Sequence, residues 1–148
     1  MTIALAADHA GFALKDDLAA WLTASGHHVI DLGTNSADSV DYPDLGARLA
    51  SAIASGSASK GIVVCGSGIG ISIAVNRHPA CRCALVHEPL SASLSREHND
   101  ANVLALGARL IGPDLARACV TAFLDTPFAG GRHTRRVQLL SAQPKEPA

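Results

Sequence analysis

The sequence predicts an α/β protein: one domain built on a doubly wound, five-stranded parallel sheet of the Rossmann-like kind, with helices on both faces. Three observations lead to this prediction. Five short apolar runs alternate with helical patterns along the chain, as strands do when crossover helices join them. One of these runs, Ile62 to Val64, is apolar without alternation, which is typical of a strand buried on both faces. It passes into a glycine-rich loop and then into another helical pattern.

Each element follows from a local pattern. Apolar runs between turn residues predict the strands, and apolar side chains three and four residues apart predict the helices. Gly26 ends the first helix, Pro89 and Pro113 stand in the first turns of two later ones, and residues 127–131, rich in Pro and Gly, set the last helix apart. Residues 33–44 are polar and irregular, so we expect a long loop there that borders a site. The predicted strands are residues 2–7, 28–32, 62–65, 82–86 and 103–106, and the predicted helices are residues 12–25, 45–54, 69–75, 89–96, 113–124 and 133–142.

The domain is expected to cover residues 1–143, followed by a disordered tail, residues 144–148, which contains two prolines and two charged residues. The first helix alternates apolar and polar side chains at helical spacing, which predicts one buried side. The apolar residues expected on that side are Phe12, Leu14, Leu18, Trp21 and Leu22.

Composition argues against several classes of function. The chain has 148 residues, 48% of them hydrophobic, and a net charge of −1, so we expect neither disorder nor a nucleic-acid or membrane partner. It shows neither a signal-peptide pattern nor an apolar segment of about 20 residues, which predicts a cytoplasmic protein with reduced thiols. Cys81 and Cys83 have no second pair at zinc-site spacing, so with Cys119 they are expected to be core residues, and no metal site is expected.

A candidate catalytic site centres on Cys65. This residue ends its strand where the glycine-rich loop, residues 66–70, begins, and glycines permit a close approach of the backbone to a ligand. A strand, such a loop and a helix amino terminus together form a nest of backbone N–H groups that attracts an anion. A thiol at the mouth of that nest can act as a nucleophile or as a general base. The alternative is that Cys65 is a small buried residue like the other cysteines.

Other polar side chains follow the strands, and we expect them at one edge of the sheet, because such folds bind ligands beyond the carboxyl ends of their strands. Asp8 and His9 come directly after the first strand, and Arg109 follows the fifth. His98 and Asn99 lie between the fourth and fifth strands and are expected to join them. Asp8 could instead cap a helix, and His98 could instead complement a helix dipole.

A short basic cluster lies near the carboxyl terminus. Arg132 and Arg136 are four residues apart and share a face of the last predicted helix. Guanidinium groups match phosphate geometry, so this face is a candidate phosphate clamp. A solvated cationic face is the alternative.

Six stretches of the chain match a known family in order. They are residues 7–11 (ADHAG), 41–43 (DYP), 64–70 (VCGSGIG), 95–100 (SREHND), 106–109 (LGAR) and 130–133 (GGRH). The chain thereby resembles the type B ribose-5-phosphate isomerases, whose family also contains galactose-6-phosphate isomerase subunits. The stretches span nearly the whole chain. The resemblance implies an aldose–ketose isomerase of phosphorylated sugars that needs neither metal nor cofactor and acts through a cis-enediolate.

The resemblance also implies a role for each matching residue. Cys65 would be the base that moves a proton between C1 and C2, and His98, with Asp8 near it, would open the sugar ring. The oxyanion would be held by the Ser67 hydroxyl and by the loop formed by Gly66, Ser67, Gly68, Ile69 and Gly70. The implied substrate-binding residues are Asp8, His9 and Asn99 for the hydroxyls, Arg109, Arg132, His133 and Arg136 for the phosphate, and Tyr42 as a wall of the site.

The resemblance further implies a homodimer, or a dimer of dimers, with active sites shared between subunits. The last predicted helix is short and carries Val137 and Leu140 beside its arginines. Such a helix is marginal unless it packs, and the resemblance implies that it packs on the partner subunit.

Two positions depart from the family pattern. One branch of the family uses a glutamate as the base where this chain has Ile71, which cannot take a proton, so Cys65 is the remaining candidate. Ser67 stands where many members have threonine, and either hydroxyl can donate a hydrogen bond.

Other functions stay open at this point. A dinucleotide-binding protein would use the loop glycines together with Glu88, about 20 residues further on, as the ribose-binding acid, although the glycine spacing differs from that motif. A sugar-phosphate-binding protein without catalysis is a second alternative. Among substrates, ribose 5-phosphate is the default, and allose 6-phosphate, galactose 6-phosphate or a tetrulose 4-phosphate are the others.

Overall fold

A computed structural model describes residues 1–142 and contains the expected five-stranded sheet. The predicted tail, residues 144–148, and the domain end at residue 143 lie outside the described residues. The strands are β1 (Thr2–Ala7), β2 (His28–Asp31), β3 (Lys60–Cys65), β4 (Cys83–Leu85) and β5 (Val103–Gly107). The helices are α1 (Phe12–Ala24), α2 (Tyr42–Ala54), α3 (Ile69–Asn76), α4 (Pro89–Asn99), α5 (Pro113–Asp125) and α6 (Arg132–Ser141).

All strand pairs are parallel, and the order across the sheet is β2-β1-β3-β5-β4. The chain moves outward from β1 to β2 and then crosses to β3 on the other side of β1. The helix after β1 packs on one face of the sheet, and the helix after β3 packs on the other. β1 and β3 therefore flank a topological switch point, where a crevice opens beyond their carboxyl ends.

Two apolar cores lie on the two faces of the sheet. Successive strand residues point to opposite faces, so Leu5 and Val64 pack under α1, α4 and α5, whereas Ala6 and Val63 pack under α2 and α3. All four side chains are fully buried. The predicted doubly wound fold class is confirmed.

Most elements differ from the prediction by one to three residues at an end, and three of them illustrate the causes. α2 begins at Tyr42, three residues early, because Pro43 fits the first turn of a helix. α4 continues to Asn99 and ends where Asp100 takes a left-handed φ of 46°. β4 covers only Cys83–Leu85, since it is an edge strand paired with β5 alone.

The buried side of α1 also differs. Phe12 and Trp21 are only partly buried, whereas Lys15 is fully buried. The Lys15 ammonium lies 2.7 Å from a carboxylate oxygen of Asp31, whose other oxygen accepts the N–H of Gly33 at 2.8 Å. This ion pair, in which only the lysine is buried, fixes the start of the loop that leads from β2 toward the switch point.

α6 packs on α4 and buries none of its own side chains. Leu139 and Leu140 on this helix are 58% and 62% exposed. None of the helices in residues 1–142 has the length and apolar character that crossing a bilayer requires.

Candidate active site

A cavity of about 370 Å³ lies at the switch point, beyond the carboxyl ends of β1 and β3. It brings together the residues that follow β1, β3 and β5 with the first residue of α2. The predicted site residues that line it are Asp8, His9, Tyr42, Cys65, Gly66, Ser67, Gly70 and Arg109.

Cys65 is the last residue of β3, and its side chain is almost fully buried. Its sulfur accepts the backbone N–H of Gly68 at 3.1 Å. Gly68 has a φ of +77°, and a Cβ there would lie 2.9 Å from the backbone of Leu106, so this turn of the loop requires glycine. The sulfur is thus held in place by the loop as a hydrogen-bond acceptor.

The loop offers further donors beside that sulfur. The Ser67 hydroxyl oxygen accepts the N–H of Ile69 at 3.2 Å, which leaves the hydroxyl proton free to donate. Within residues 1–142, the backbone N–H groups of Gly66, Ser67 and Gly70 have no hydrogen-bond acceptor. Fixed donors of this kind can stabilise an oxyanion as it forms.

Asp8 and His9 enter the cavity from the turn after β1. Oδ1 of Asp8 accepts the N–H groups of Ala10 and Gly11 at 3.0 and 3.1 Å, so Asp8 holds the turn after β1 while it also lines the cavity. It does not cap α1, whose N-cap residue is Gly11. Nδ1 of His9 accepts the N–H of Val40 at 3.2 Å. An accepting ring nitrogen carries no proton, so the proton of the neutral ring is on Nε2. His9 therefore contributes a donor.

Two side chains lie against glycines of the loop. A Cβ on Gly66 would be 3.3 Å from the guanidinium of Arg109, and a Cβ on Gly70 would be 2.6 Å from the ring of Tyr42. The glycines therefore make room for a cation on one side of the cavity and an aromatic wall on the other. The guanidinium is suited to an anionic group of a ligand.

His98 and Asn99 do not join this cavity. They form the last turn of α4, which starts beyond the carboxyl end of β4 and returns to the amino end of β5. The next residue, Asp100, accepts a bond of 3.2 Å from Arg82, which directly precedes β4. The prediction that His98 and Asn99 lie at the same sheet edge as the other candidate residues is therefore wrong within one chain.

His98 belongs instead to a second polar cluster, which it forms with Arg132, His133 and Arg136 of α6. The rings of His98 and His133 are stacked, with centroids 4.5 Å apart and planes inclined by 16°. One chain therefore carries two groups of candidate residues at opposite ends of its sheet.

Comparison with known proteins identifies the family. The family model described as ribose/galactose isomerase matches residues 3–140. The protein named ribose-5-phosphate isomerase B in Escherichia coli K12 is 46% identical over 140 residues, which are 95% of this chain and 94% of that protein. The chain belongs to the ribose/galactose isomerase family. The resemblance found in the sequence is confirmed.

Solved structures of the ribose/galactose isomerase family share the fold. Ribose-5-phosphate isomerase B of Clostridium thermocellum superposes with a TM-score of 0.94 at 48% identity and covers 95% of both chains. The Mycoplasma genitalium protein of the same name, solved with bound ribulose-5-phosphate, has a TM-score of 0.89 at 34% identity and covers 95% of this chain and 93% of its own. The residues of the present chain that the family model matches run from β1 to α6 and include both groups of candidate residues.

Sequence reasoning missed the side chains that hold the turn after His98. Arg96 is buried and donates to Asp100 at 2.8 Å and to the carbonyl of Ala101 at 2.6 Å. Arg82 binds the other oxygen of Asp100. The sequence signal for these contacts was an arginine, Arg96, among the small residues of α4 that face the core. Together these bonds hold the end of α4 in one place.

Glu88, the residue on which the dinucleotide alternative depended, has a structural role in this isomerase-family chain. It caps α4, since its carboxylate accepts the N–H groups of Leu90 at 2.6 Å and Ser91 at 2.7 Å. Hydrogen bonds from Ser91, and then from Leu90, lower its pKa. The carboxylate is thus engaged by its own helix, which disfavours the dinucleotide interpretation.

The remaining cysteines lie outside the cavity. Burial raises the pKa of Cys81 and Cys119, and burial followed by the neighbouring Cys81 raises that of Cys83. Such thiols suit core packing. Among the residues that the structure describes, no three His, Cys, Asp or Glu side chains converge as a metal site requires.

Proposed function

We propose that this chain interconverts ribose 5-phosphate and ribulose 5-phosphate through a cis-enediolate, with Cys65 as the base. The observation that carries the proposal is the sulfur at the end of β3, which accepts one loop N–H and has free donors beside it. A C–H next to a carbonyl is a weak acid, so its removal needs both a placed base and a stabilised oxyanion. One loop supplies both. The names of the E. coli and M. genitalium relatives support this substrate pair.

In the direction from aldose to ketose, the thiolate of Cys65 takes the proton from C2. The electron pair of that C–H bond forms the C1–C2 double bond, and the carbonyl pair moves to O1. The loop N–H groups and the Ser67 hydroxyl donate to the developing oxyanion. The thiol then returns its proton to C1, while the proton on O2 moves to O1. Atoms and electrons balance within the sugar, so the reaction needs no cofactor.

The other side chains of the cavity bind the substrate in this proposal. The Asp8 carboxylate accepts a sugar hydroxyl, and Nε2–H of His9 donates to a sugar oxygen. Arg109 attracts the phosphate, and Tyr42 closes the side of the site above Gly70.

We further propose a homodimer, or a dimer of dimers, in which a second copy completes each site. His98 and Asn99 cannot reach the cavity of their own chain, because α4 carries them to the opposite end of the sheet. A phosphate near charge −2 is held better by several cations than by Arg109 alone. A second copy with its α6 beside the cavity would add Arg132 and Arg136.

Exposed apolar surface supports this assembly. An apolar groove of about 470 Å³ lies between α2 and α3, and Tyr42 and Gly70 line both this groove and the cavity. Ile73 in the groove is 59% exposed, and Leu139 and Leu140 of α6 are also largely exposed. Burying these surfaces against each other would stabilise a dimer and bring α6 of the partner subunit to the cavity.

A base that works as a thiolate must not be oxidised. The cytoplasm keeps thiols reduced, so we propose that the enzyme acts there.

Turnover of the purified protein on sugar phosphates with four, five and six carbons tests the function. The expected result is the highest kcat/KM for ribose 5-phosphate, with lower values for erythrose 4-phosphate, allose 6-phosphate and galactose 6-phosphate. Binding of ribose 5-phosphate without turnover of any sugar would support a binding protein instead, and a preference for a four- or six-carbon sugar would change the assigned substrate.

The rate is expected to be independent of divalent metal, because Cys65 supplies the base and loop N–H groups supply the oxyanion donors. Dialysis against excess EDTA should leave kcat for ribose 5-phosphate within about twofold of its value before dialysis. Loss of a Lewis-acid metal, which lowers a barrier by several kcal/mol, would reduce kcat far more. The control is the same dialysis followed by addition of Mg²⁺, Mn²⁺ or Zn²⁺. Activity that is lost on chelation and regained with one of these ions would contradict the mechanism.

A further inference from the structure

The two imidazoles of the second polar cluster lie face to face. His98 is in the last turn of α4 and His133 in the first turn of α6, with ring centroids 4.5 Å apart. This stack occupies one face of each ring, while the ring nitrogens lie at the edges and stay free to bind other groups. The position of His133 therefore sets the plane in which the nitrogens of His98 lie.

The backbone fixes His133 relative to α4. The N–H of Ala129 donates to the carbonyl of Glu97 at 3.1 Å, and Gly130, with a φ of +65°, turns the chain into α6. The N–H of His133 then donates to the carbonyl of Gly130 at 3.0 Å. These bonds hold the His133 ring over its neighbour.

The charges around His133 favour its neutral form. Partial removal from water, followed by the charges of His98, Arg132 and Arg136, lowers its pKa from 6.5, and Glu97 acts in the opposite direction. A neutral imidazole adds no net charge toward a phosphate, whereas each of the two arginines adds a full one. The stacked face of the His133 ring can then hold the His98 ring in place.

We propose that His133 acts chiefly as a positioning residue for His98 of the same chain. The inference rests on the proposed function, in which His98 acts on a sugar ring bound by the partner subunit. When a furanose opens, the anomeric hydroxyl loses a proton and the ring oxygen gains one as the C1–O4 bond breaks. A group that moves these protons must be in line, and a displacement of about 1 Å can cost as much as about 100-fold in rate.

Two substitutions separate the roles. His133→Phe keeps a flat ring over His98, whereas His133→Ala removes it. We expect His133→Ala to lower kcat for ribose 5-phosphate about tenfold, within the range of a misplaced group, with KM changed by less than about twofold. His133→Phe should recover most of that kcat. A phosphate ligand would instead give a raised KM in both variants, and that result would overturn the inference.

A spectroscopic measurement tests the positioning without turnover. In ¹H NMR spectra of the unliganded protein, the ring protons of His98 should be shifted by the ring current of the stacked neighbour. We expect this shift to persist in His133→Phe and to vanish in His133→Ala, and identical His98 signals in all three proteins would overturn the inference. Absence of turnover by the unaltered protein would instead refute the proposed function, so the two failures are distinguishable.

Discussion

Replacement of Cys65 by alanine is expected to lower kcat for ribose 5-phosphate by about 10⁴-fold, the upper end of what a positioned base contributes. Ile71 stands where one branch of the family has an acidic base, and the sulfur of Cys65 is the acceptor at the centre of the loop donors. The dissociation constant for ribulose 5-phosphate should change by less than about threefold, because the hydroxyl and phosphate contacts do not involve the sulfur. A coupled absorbance assay measures kcat, and titration calorimetry measures binding.

Two further variants serve as controls. Cys65→Ser keeps a small polar side chain but is a far weaker base, so it should be nearly as inactive as the alanine variant. Cys119→Ala removes a buried thiol of α5 that packs in the opposite core, so it should keep kcat close to that of the unaltered protein. Turnover retained by Cys65→Ala, with the fold checked by circular dichroism, would assign the base to another group.

The part of the site that could be predicted from the sequence is the part set by local chain order. Asp8 directly follows β1, and Cys65 is the last residue of β3. In a parallel sheet the carboxyl ends of all strands meet at one edge, so these positions lie close together. The glycine at position 68 was predictable as well, because a turn that brings backbone N–H groups onto a thiol needs a positive φ. These inferences need no knowledge of distant contacts.

The rest depends on where helices begin, end and pack. His98 was misplaced because its distance along the chain from β4 hides the fact that α4 carries it to the other end of the sheet. The early start of α2 puts Tyr42 on the cavity wall, although residues 33–44 look like loop throughout. Lys15 is buried because its ammonium meets Asp31 from another element, a contact that no local pattern shows.

A heterodimer of one Arg109→Ala chain and one Arg136→Ala chain is expected to have about half the kcat of the unaltered dimer. The homodimer of either single variant should lose about 100-fold in kcat/KM, which is the effect of removing one charge-assisted hydrogen bond. Arg109 lines the cavity of its own chain, whereas Arg136 lies on α6 at the other end of the sheet. If the partner's α6 completes each cavity, both lesions fall in one site of the heterodimer and the other site is intact. Co-expression with two different affinity tags yields the heterodimer for assay.

The matched control has the same two substitutions per dimer but places both in one chain. A heterodimer of the double variant Arg109→Ala, Arg136→Ala with an unaltered chain would carry one lesion in each shared site, so it should be nearly inactive. The two arrangements exchange their results if each chain completes its own site, because the unaltered chain then works alone and the first heterodimer has a lesion in both sites. The two heterodimers have identical composition and net charge and differ only in which chain carries each substitution. Half activity in the first heterodimer and little activity in the second would therefore indicate a shared site, and the reverse result would indicate a site within one chain.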